Sequence, residues 1–202
     1  MFVIGITGPS GAGKGEISRL LSSCGAAIID ADKVYHKIIS PPSECLDELV
    51  SFFGDNILSS EGTLERKALA LHVFGEQNRD KLEALNKITH KYVIDDIRRT
   101  IDSLRLTNTS IAVIDAPLLI EAGLCSDCDM TLAVLADKSV RAERISARDE
   151  IDHVAAMARI NAQKDDEYYI SNTDAVIRND ADIDSLSVSL NTILEERGVK
   201  MR

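Results

Sequence analysis

The stretch GPSGAGKGE, from Gly8 to Glu16, carries the residue types that bind nucleotide phosphates. Gly8, Gly13 and Lys14 match the pattern G-x-x-x-x-G-K-[ST], in which backbone N–H groups and the lysine hold the phosphate chain. Gly15 departs from it, because a Ser or Thr there normally contacts Mg²⁺; the metal must then be held mainly by phosphates, waters and another carboxylate. An ordinary Gly-rich turn is the alternative. We predict a phosphate loop formed by Gly8, Pro9, Ser10, Gly11, Ala12, Gly13, Lys14, Gly15 and Glu16.

Two carboxylates, Asp30 and Asp32, follow the second apolar run of the chain. Ligands of open α/β sheets bind at the carboxyl ends of strands, and residues two apart on a strand share a face. We take this strand as the neighbour of the loop strand, which would put both acids beside the phosphates. One acid could accept or orient the proton of an attacking hydroxyl, or hold Mg²⁺ through water. Asp30 could instead cap the next helix, so we favour Asp32 as the catalytic acid.

The elements that must position these residues follow from the apolar pattern. Short apolar runs at 2–7, 26–29, 110–115, 129–135 and 174–178 predict five buried strands separated by helices. This alternation predicts an α/β fold with a parallel five-stranded sheet flanked by helices. No core strand is expected at about 31–109, where residues 82–104 predict a long helix with a break. Charged helices are predicted at about 138–149 and 151–164, and a closing helix at about 183–194.

Composition excludes several classes of function. The 202 residues carry a net charge of −10 and a pI of about 4.9, which argues against binding nucleic acid or an anionic membrane by bulk charge. The apolar runs are too short to span a bilayer, and we expect no secretory signal. Cys125 and Cys128 have C-x-x-C spacing, but a second pair or a nearby His for zinc is missing from the sequence. We predict reduced thiols in a cytoplasmic protein.

Six further segments carry a family resemblance. They read IIDADKVYHKII (28–39), FFGDNILSSEGTLERKALALHVF (52–74), LEALNKITH (82–90), IDAPLLIEAGL (114–124), RAERISARD (141–149) and DAVIRN (174–179). With the loop, they resemble dephospho-coenzyme A kinases in type and order over most of residues 1 to about 180. The D-A-D, G-x-L-x-R and P-L-L-x-E segments together make the resemblance specific, whereas the loop by itself resembles that of nucleoside monophosphate kinases.

The resemblance implies an enzyme that uses ATP and Mg²⁺ to phosphorylate the ribose 3′-hydroxyl of dephospho-coenzyme A. The products are coenzyme A and ADP, in the last step of coenzyme A synthesis. It also implies a P-loop core at about 1–32, 108–137 and 172–202, a helical coenzyme-binding lobe at about 33–107 and a helical lid at about 138–171. We expect a small-molecule substrate, no nucleic-acid or membrane partner, and a monomer or weak homo-oligomer.

The resemblance also implies residue roles by position. Asp32 would be the base or hydroxyl-orienting acid and a candidate metal ligand, Lys14 would bind the phosphates, and Arg144 would be the lid arginine that neutralises the transferring phosphoryl. Asn179 would lie near the ATP base. Thr7 would lie at the phosphates on the substrate side, and the other substrate-binding positions would be Asp32, Arg66, His90, Pro117, Leu118 and Leu119.

Structural alternatives stay open for these residues. Arg144 could be solvated or paired with Glu143 or Asp149, and His90 could cap a helix end. Leu118 and Leu119 could be core residues, and Glu121 could bind substrate or pair structurally. Lys91 and Asp180 are departures, since the family usually has Pro at the first position and a small or amide residue at the second.

Two other functions compete with this interpretation. A nucleoside monophosphate kinase would need a D-G-x-P-R-type segment, and Asp115-Ala-Pro-Leu-Leu119 stands in its place. A non-catalytic GTP switch would need an N-K-x-D segment, which the sequence lacks. Both absences favour the coenzyme A kinase.

Overall fold

Five short apolar segments form one parallel sheet in the computed structural model, which describes residues 1–180 and 182–199. The strands are β1 (Phe2–Thr7), β2 (Ala27–Asp30), β3 (Ile111–Asp115), β4 (Met130–Leu135) and β5 (Ala175–Arg178). β1, β3 and β4 are almost wholly buried, as expected for parallel strands covered on both faces. The predicted five-stranded α/β sheet is confirmed.

The strand order corrects one sequence-based expectation. The order is β2-β3-β1-β4-β5, so β1 lies at the centre, between β3 and β4. β1 pairs in parallel with β3, with Ile6 opposite Asp115, and with β4, with Ile4 opposite Met130. The expectation that β2 neighbours the loop strand is therefore wrong, because β3 returns after the long helical segment and inserts between them. The strand-end acid next to β1 is Asp115.

Helices cover both faces of the sheet. α1 (Lys14–Ser23) and α9 (Ile183–Glu196) pack on one face, where Ile17, Leu21, Leu186, Leu190 and Leu194 meet the apolar residues of β1, β3 and β4. On the other face, Tyr169 of α8 (Asp166–Asn172) packs against Ala133 and Leu135. The sheet and these helices belong to a compact unit of Met1–Ile29 and Ile101–Arg202.

The second compact unit, Asp30–Thr100, is helical as predicted. It contains α2 (Ala31–Ile38), α3 (Glu44–Phe53), α4 (Arg66–Val73) and most of α5 (Arg79–Leu106). Its core includes Leu49, Phe53, Ile57, Leu69 and Ile88. Short 3-10 helices lie at Asp55–Ile57 and Glu76–Asn78 in this unit, and at Leu124–Asp127 in the first.

The predicted break in the long helix is wrong. α5 runs for 28 residues without interruption, and its sequence contains neither Gly nor Pro. Lys91 stands inside this helix, where a proline would remove a hydrogen bond and clash with the preceding turn. The departure from the family pattern at Lys91 therefore suits the continuous helix.

Two charged helices follow β4. α6 (Lys138–Asp149) and α7 (His153–Asn161) pack through Ala142, Ile145, Ala156 and Ile160. α7 begins later than predicted, because the Asp152 side chain caps its start by accepting the Ala155 N–H, and it ends earlier than predicted, at Asn161. α8 was not predicted, since seven residues are too few for a helical period to stand out. Among the described helices, none combines the length and apolarity of a membrane span.

Candidate active site

The loop between β1 and α1 has the backbone of a phosphate cradle. Gly8 and Gly13 have φ of 142° and 96°, in the region that favours glycine. A Cβ on Gly8 would lie 2.2 Å from the Val134 carbonyl oxygen, and one on Gly13 would lie 2.0 Å from Asn179 Nδ2. The loop leads into the ten-residue helix α1, whose N-terminus favours anions. The two glycines of the motif are therefore required by geometry.

Cationic side chains bind the carbonyl side of this loop. Lys14 Nζ donates to the Gly8 carbonyl at 2.7 Å, and Arg144 Nη1 lies 3.4 Å from the carbonyls of both Gly11 and Ala12. Arg144 is half-buried, so it is not a solvated surface arginine. Both predicted cations, Lys14 and Arg144, are thus brought together on the loop.

Asp149, one of the two acids proposed as alternative partners of Arg144, pairs with two other arginines. Asp149 accepts hydrogen bonds from Arg148, at 2.7 and 2.9 Å, and from Arg159. Hydrogen bonding by Arg148 lowers the pKa of Asp149 to about 2, with a further contribution from Arg159. Asp149 is therefore already engaged, and Arg144 lies against the loop instead.

Asn179 lies directly after β5 and supports the same loop from within the first unit. It is buried, and its Nδ2 donates to the Ala12 carbonyl at 3.0 Å. Its own carbonyl accepts from Arg144 Nη2 at 3.0 Å. Asn179 thus holds the loop and Arg144 together, and its expected place near the ATP base stays a prediction. Asp180, the departure beside it, accepts the backbone N–H of Asp137 at 2.6 Å.

Sequence reasoning missed a second arginine on α6. Arg141 is 2% exposed, and its Nε donates to the Ser10 carbonyl at 2.9 Å. Its Nη2 donates at 2.7 Å to Gln163 Oε1, which also accepts the Ser10 N–H at 3.2 Å. Burial lowers the pKa of Arg141. The available signal was its position one helical turn before Arg144, on the same face.

The ends of β1 and β3 are tied by hydrogen bonds. Thr7 is fully buried, and its hydroxyl donates to the Pro117 carbonyl at 3.1 Å. Leu119 is fully buried and Leu118 is half exposed, so the core alternative holds for Leu119 alone. Substrate contacts by Thr7, Pro117, Leu118 and Leu119 stay predictions. Ser18 of α1 donates to Asp115 Oδ2 at 2.6 Å.

The predicted acids divide into a cap and an exposed carboxylate. Asp30 accepts the Lys33 N–H at 3.0 Å and caps α2, as the alternative for this residue proposed. Asp32 lies in the first turn of α2 and is exposed. Glu16 is paired with Arg19 at 2.6 Å on α1. Of Asp30 and Asp32, only Asp30 acts as a helix cap, so capping does not explain the role of Asp32.

The predicted coenzyme-side residues in the second unit lie on two helices. Arg66 is exposed at the start of α4, and its guanidinium contacts the His36 ring. His90 is half-buried in the interior of α5, so it does not cap a helix end. Their contacts with a coenzyme stay predictions.

Cys128 of the C-x-x-C pair packs in the space beside Gly5. A Cβ on Gly5 would lie 2.6 Å from Cys128 Sγ and 2.7 Å from Leu119 Cδ2, so both side chains use the space that this glycine leaves. Burial raises the pKa of Cys128 to about 12 and also raises that of Cys125. Thiols with raised pKa values are poor nucleophiles and metal ligands.

Glu121 has a structural partner, because it forms a hydrogen bond with Tyr168. Burial is the main cause that raises the pKa of Tyr168 to about 12, and the bond to Glu121 raises it further.

The loop geometry predicts that Gly13→Ala weakens ATP binding at least ~10-fold and lowers the unfolding temperature. Alanine disfavours a φ of 96°, and its Cβ would displace the buried Asn179 amide. Titration with a fluorescent ATP analogue and a thermal melt measure the two effects. Gly15→Ala is the control, because outside its chain neighbours and the backbone of α1 no described atom lies within 4 Å of a Cβ there. Equal behaviour of the two variants would contradict the argument.

Comparison with known proteins decides the family. Residues 2–185 match the sequence profile described as dephospho-CoA kinase. The dephospho-CoA kinase of Carboxydothermus hydrogenoformans is 37% identical over 96% of this chain and 93% of its own length. The chain belongs to the dephospho-CoA kinase family. Its activity is that of a kinase in the final step of coenzyme A biosynthesis, as the sequence predicted.

Solved structures agree with this family. The dephospho-CoA kinase from Campylobacter jejuni superposes with a TM-score of 0.69 and 25% identity, covering 96% of both chains. A Thermus thermophilus protein gives a TM-score of 0.78 and 29% identity, covering 96% of this chain and 97% of its own. The predicted P-loop kinase fold is confirmed, and the family implies the use of ATP.

Proposed function

We propose that this chain transfers the γ-phosphoryl group of ATP to the 3′-hydroxyl of the ribose in dephospho-coenzyme A, through Lys14, Arg144 and Asp32. The observation that carries the proposal is the cradle at residues 8–15, whose carbonyl side is bound by Lys14 and Arg144. Phosphoryl transfer depends on positioning and charge neutralisation more than on covalent chemistry, and this cradle supports both.

The two cations act on the transferring group. Lys14, the first residue of α1, leaves the Gly8 carbonyl and binds the β- and γ-phosphates when ATP enters. Arg144 neutralises charge that develops on the phosphoryl oxygens, and its attachment to Asn179 restricts its direction. Asn179, near the ATP base, completes the nucleotide side of the proposal, and Thr7, at the end of β1, would lie at the phosphates on the substrate side.

Asp32 accepts or orients the proton of the acceptor hydroxyl in this mechanism. Its carboxylate is exposed in the first turn of α2, whereas Asp30 is engaged as the cap. A carboxylate that is not engaged as a cap can accept a proton from a hydroxyl in the transition state. We assign the contacts with the coenzyme to Arg66, His90, Pro117, Leu118 and Leu119.

The residues present fit Mg²⁺ that arrives with ATP. Within residues 1–180 and 182–199, no group of three or more His, Cys, Asp or Glu side chains could hold a metal. Mg²⁺ in kinases needs no such cage, since one or two carboxylates, waters and substrate phosphates suffice. Asp115, opposite Ile6 of β1, would supply one carboxylate, and Asp32 is a candidate for another. When bound, the ion would offset the negative charge of the phosphates.

We also propose a lid, a cellular compartment and an oligomeric state for this enzyme. Residues 138–171 would act as the lid that excludes water and suppresses ATP hydrolysis. The enzyme would work in the cytoplasm as a monomer or weak homo-oligomer, with its cysteines reduced. Light scattering at working concentration measures the oligomeric state.

A panel of acceptors tests the proposed function. ADP release is measured with ATP, Mg²⁺ and equal concentrations of dephospho-coenzyme A, AMP or CMP. We expect rapid release with dephospho-coenzyme A only. Faster release with AMP or CMP would indicate a nucleoside monophosphate kinase. ATP binding without turnover on any acceptor would indicate a nucleotide-binding protein without catalysis.

A further inference from the structure

The loop lacks a hydroxyl at the position where related loops contact Mg²⁺. In P-loop NTPases, a loop Ser or Thr and a strand-end Asp together hold the ion. Here that position is Gly15, which is exposed; apart from its chain neighbours and the backbone of α1 itself, no described atom lies within 4 Å of the place that a Cβ would take. The space for the hydroxyl is therefore present, but the group itself is missing.

Ser18 places a hydroxyl on the same face of α1. Residues three apart in a helix are neighbours on one face, so Ser18 lies one turn beyond Gly15. Its side chain is nearly buried, at 8% exposed, and its Oγ donates to Asp115 Oδ2 at 2.6 Å. Serine in a helix commonly bonds a carbonyl of the preceding turn, as Ser23 does with Leu20 at 2.7 Å. Ser18 instead donates its hydrogen bond to a side chain outside the helix, the Asp115 carboxylate at the end of β3.

Asp115 lies where a strand-end metal carboxylate would be useful. It is the last residue of β3, its Cα is opposite Ile6 of β1, and the following Ala116 N–H bonds the Ile6 carbonyl at 3.1 Å. The loop begins two residues after Ile6, at Gly8. A bond of 2.6 Å from a nearly buried hydroxyl restricts the rotation of this carboxylate.

We propose that Ser18 is a positioning residue for the metal site and compensates for the missing hydroxyl at Gly15 by orienting the Asp115 carboxylate. This inference rests on the proposed function, because it concerns the Mg²⁺ that arrives with the nucleotide. A group that orients a carboxylate without touching the ion commonly changes metal affinity by about 10- to 100-fold. Glu16 is a weaker candidate for the compensation, since its carboxylate is paired with Arg19.

Metal binding in the nucleotide complex tests this proposal without any acceptor. Mn²⁺ is titrated into the protein saturated with ADP and followed by its electron paramagnetic resonance signal. We expect Ser18→Ala to weaken Mn²⁺ binding about 10-fold relative to the unaltered chain. Ser23→Ala is the matched control at the other end of α1, because its hydroxyl contacts the Leu20 carbonyl and Cys24 Sγ and does not bond Asp115, so its Mn²⁺ affinity should not change.

A hydroxyl restored at position 15 shows whether Ser18→Ala weakens Mn²⁺ binding through lost orientation of Asp115 or through altered packing of α1. We expect the double variant Gly15→Ser with Ser18→Ala to regain most of the lost affinity, and Gly15→Ser by itself to gain less than about 2-fold because Asp115 is already oriented. Unchanged binding in Ser18→Ala would overturn the proposal, as would a loss that the double variant does not regain. A gain of about 10-fold in Gly15→Ser would also overturn it, and this variant decides the matter if Ser18→Ala does not fold.

The same titration distinguishes this proposal from the proposed function. ADP and Mn²⁺ report on the loop and the carboxylate only, so they respond even if dephospho-coenzyme A is not the acceptor. Failure of the acceptor panel with the expected Mn²⁺ results would remove the substrate assignment and leave the role of Ser18 standing.

Discussion

Lys14→Ala lowers kcat for dephospho-coenzyme A phosphorylation by about 10²- to 10³-fold while the fold is retained. The lysine is the first residue of α1 and a donor to the Gly8 carbonyl, so its amine is already at the phosphate loop before ATP binds. Removing a preorganised cation from a developing negative charge raises the barrier, whereas a half-buried side chain at a helix start contributes little to the core. Steady-state ADP release and a thermal melt measure both effects.

A lysine elsewhere in the same unit provides the control for Lys14. Lys138 is exposed at the first position of α6, so Lys138→Ala removes one positive charge from a helix start outside the loop. We expect its kcat to stay within about 2-fold of the unaltered enzyme. An equal loss in both variants would show that net charge, and not contact with the phosphates, is responsible.

Asp32→Asn lowers kcat by about 10²- to 10⁴-fold, the range that a positioned general base contributes. The change is nearly isosteric and the side chain is exposed, so the stability of α2 should change only through the loss of charge at its first turn. Rapid-quench measurement of a single turnover isolates the chemical step from substrate binding.

The control for Asp32 removes a carboxylate in the same structural setting. Asp47 is also exposed and also lies in the first turn of a helix, α3, of the same unit. Asp47→Asn therefore loses the same interaction with a helix dipole but should keep its single-turnover rate. Near-normal turnover of Asp32→Asn would refute the catalytic role assigned to this acid.

The strands and the loop were predictable because their signals are local. Buried parallel strands appear as short apolar runs, and the fixed glycines satisfy backbone angles and close approaches within the loop, as at Gly8 and Gly13. The capping role of Asp30 was also among the alternatives that the sequence offered, because a cap depends on the next three residues alone.

The spatial order of the strands was not local information. β3 is separated from β1 by more than a hundred residues, so the sequence could not show that it inserts beside β1 and displaces β2 to the sheet edge. The same reason hid the pairing of Ser18 with Asp115, which joins residues 97 apart. The contacts of Arg141 with Ser10 and Gln163 likewise depend on how α6 packs against the loop.

The position of the transferred phosphate tests the central claim most directly. The unaltered chain is incubated with ATP, Mg²⁺ and dephospho-coenzyme A, and the product is examined by phosphorus NMR for coupling to the ribose protons. We predict one new phosphomonoester on the 3′-oxygen for each ADP formed. A phosphate at another oxygen, or ADP without a phosphorylated coenzyme, would contradict the assigned reaction.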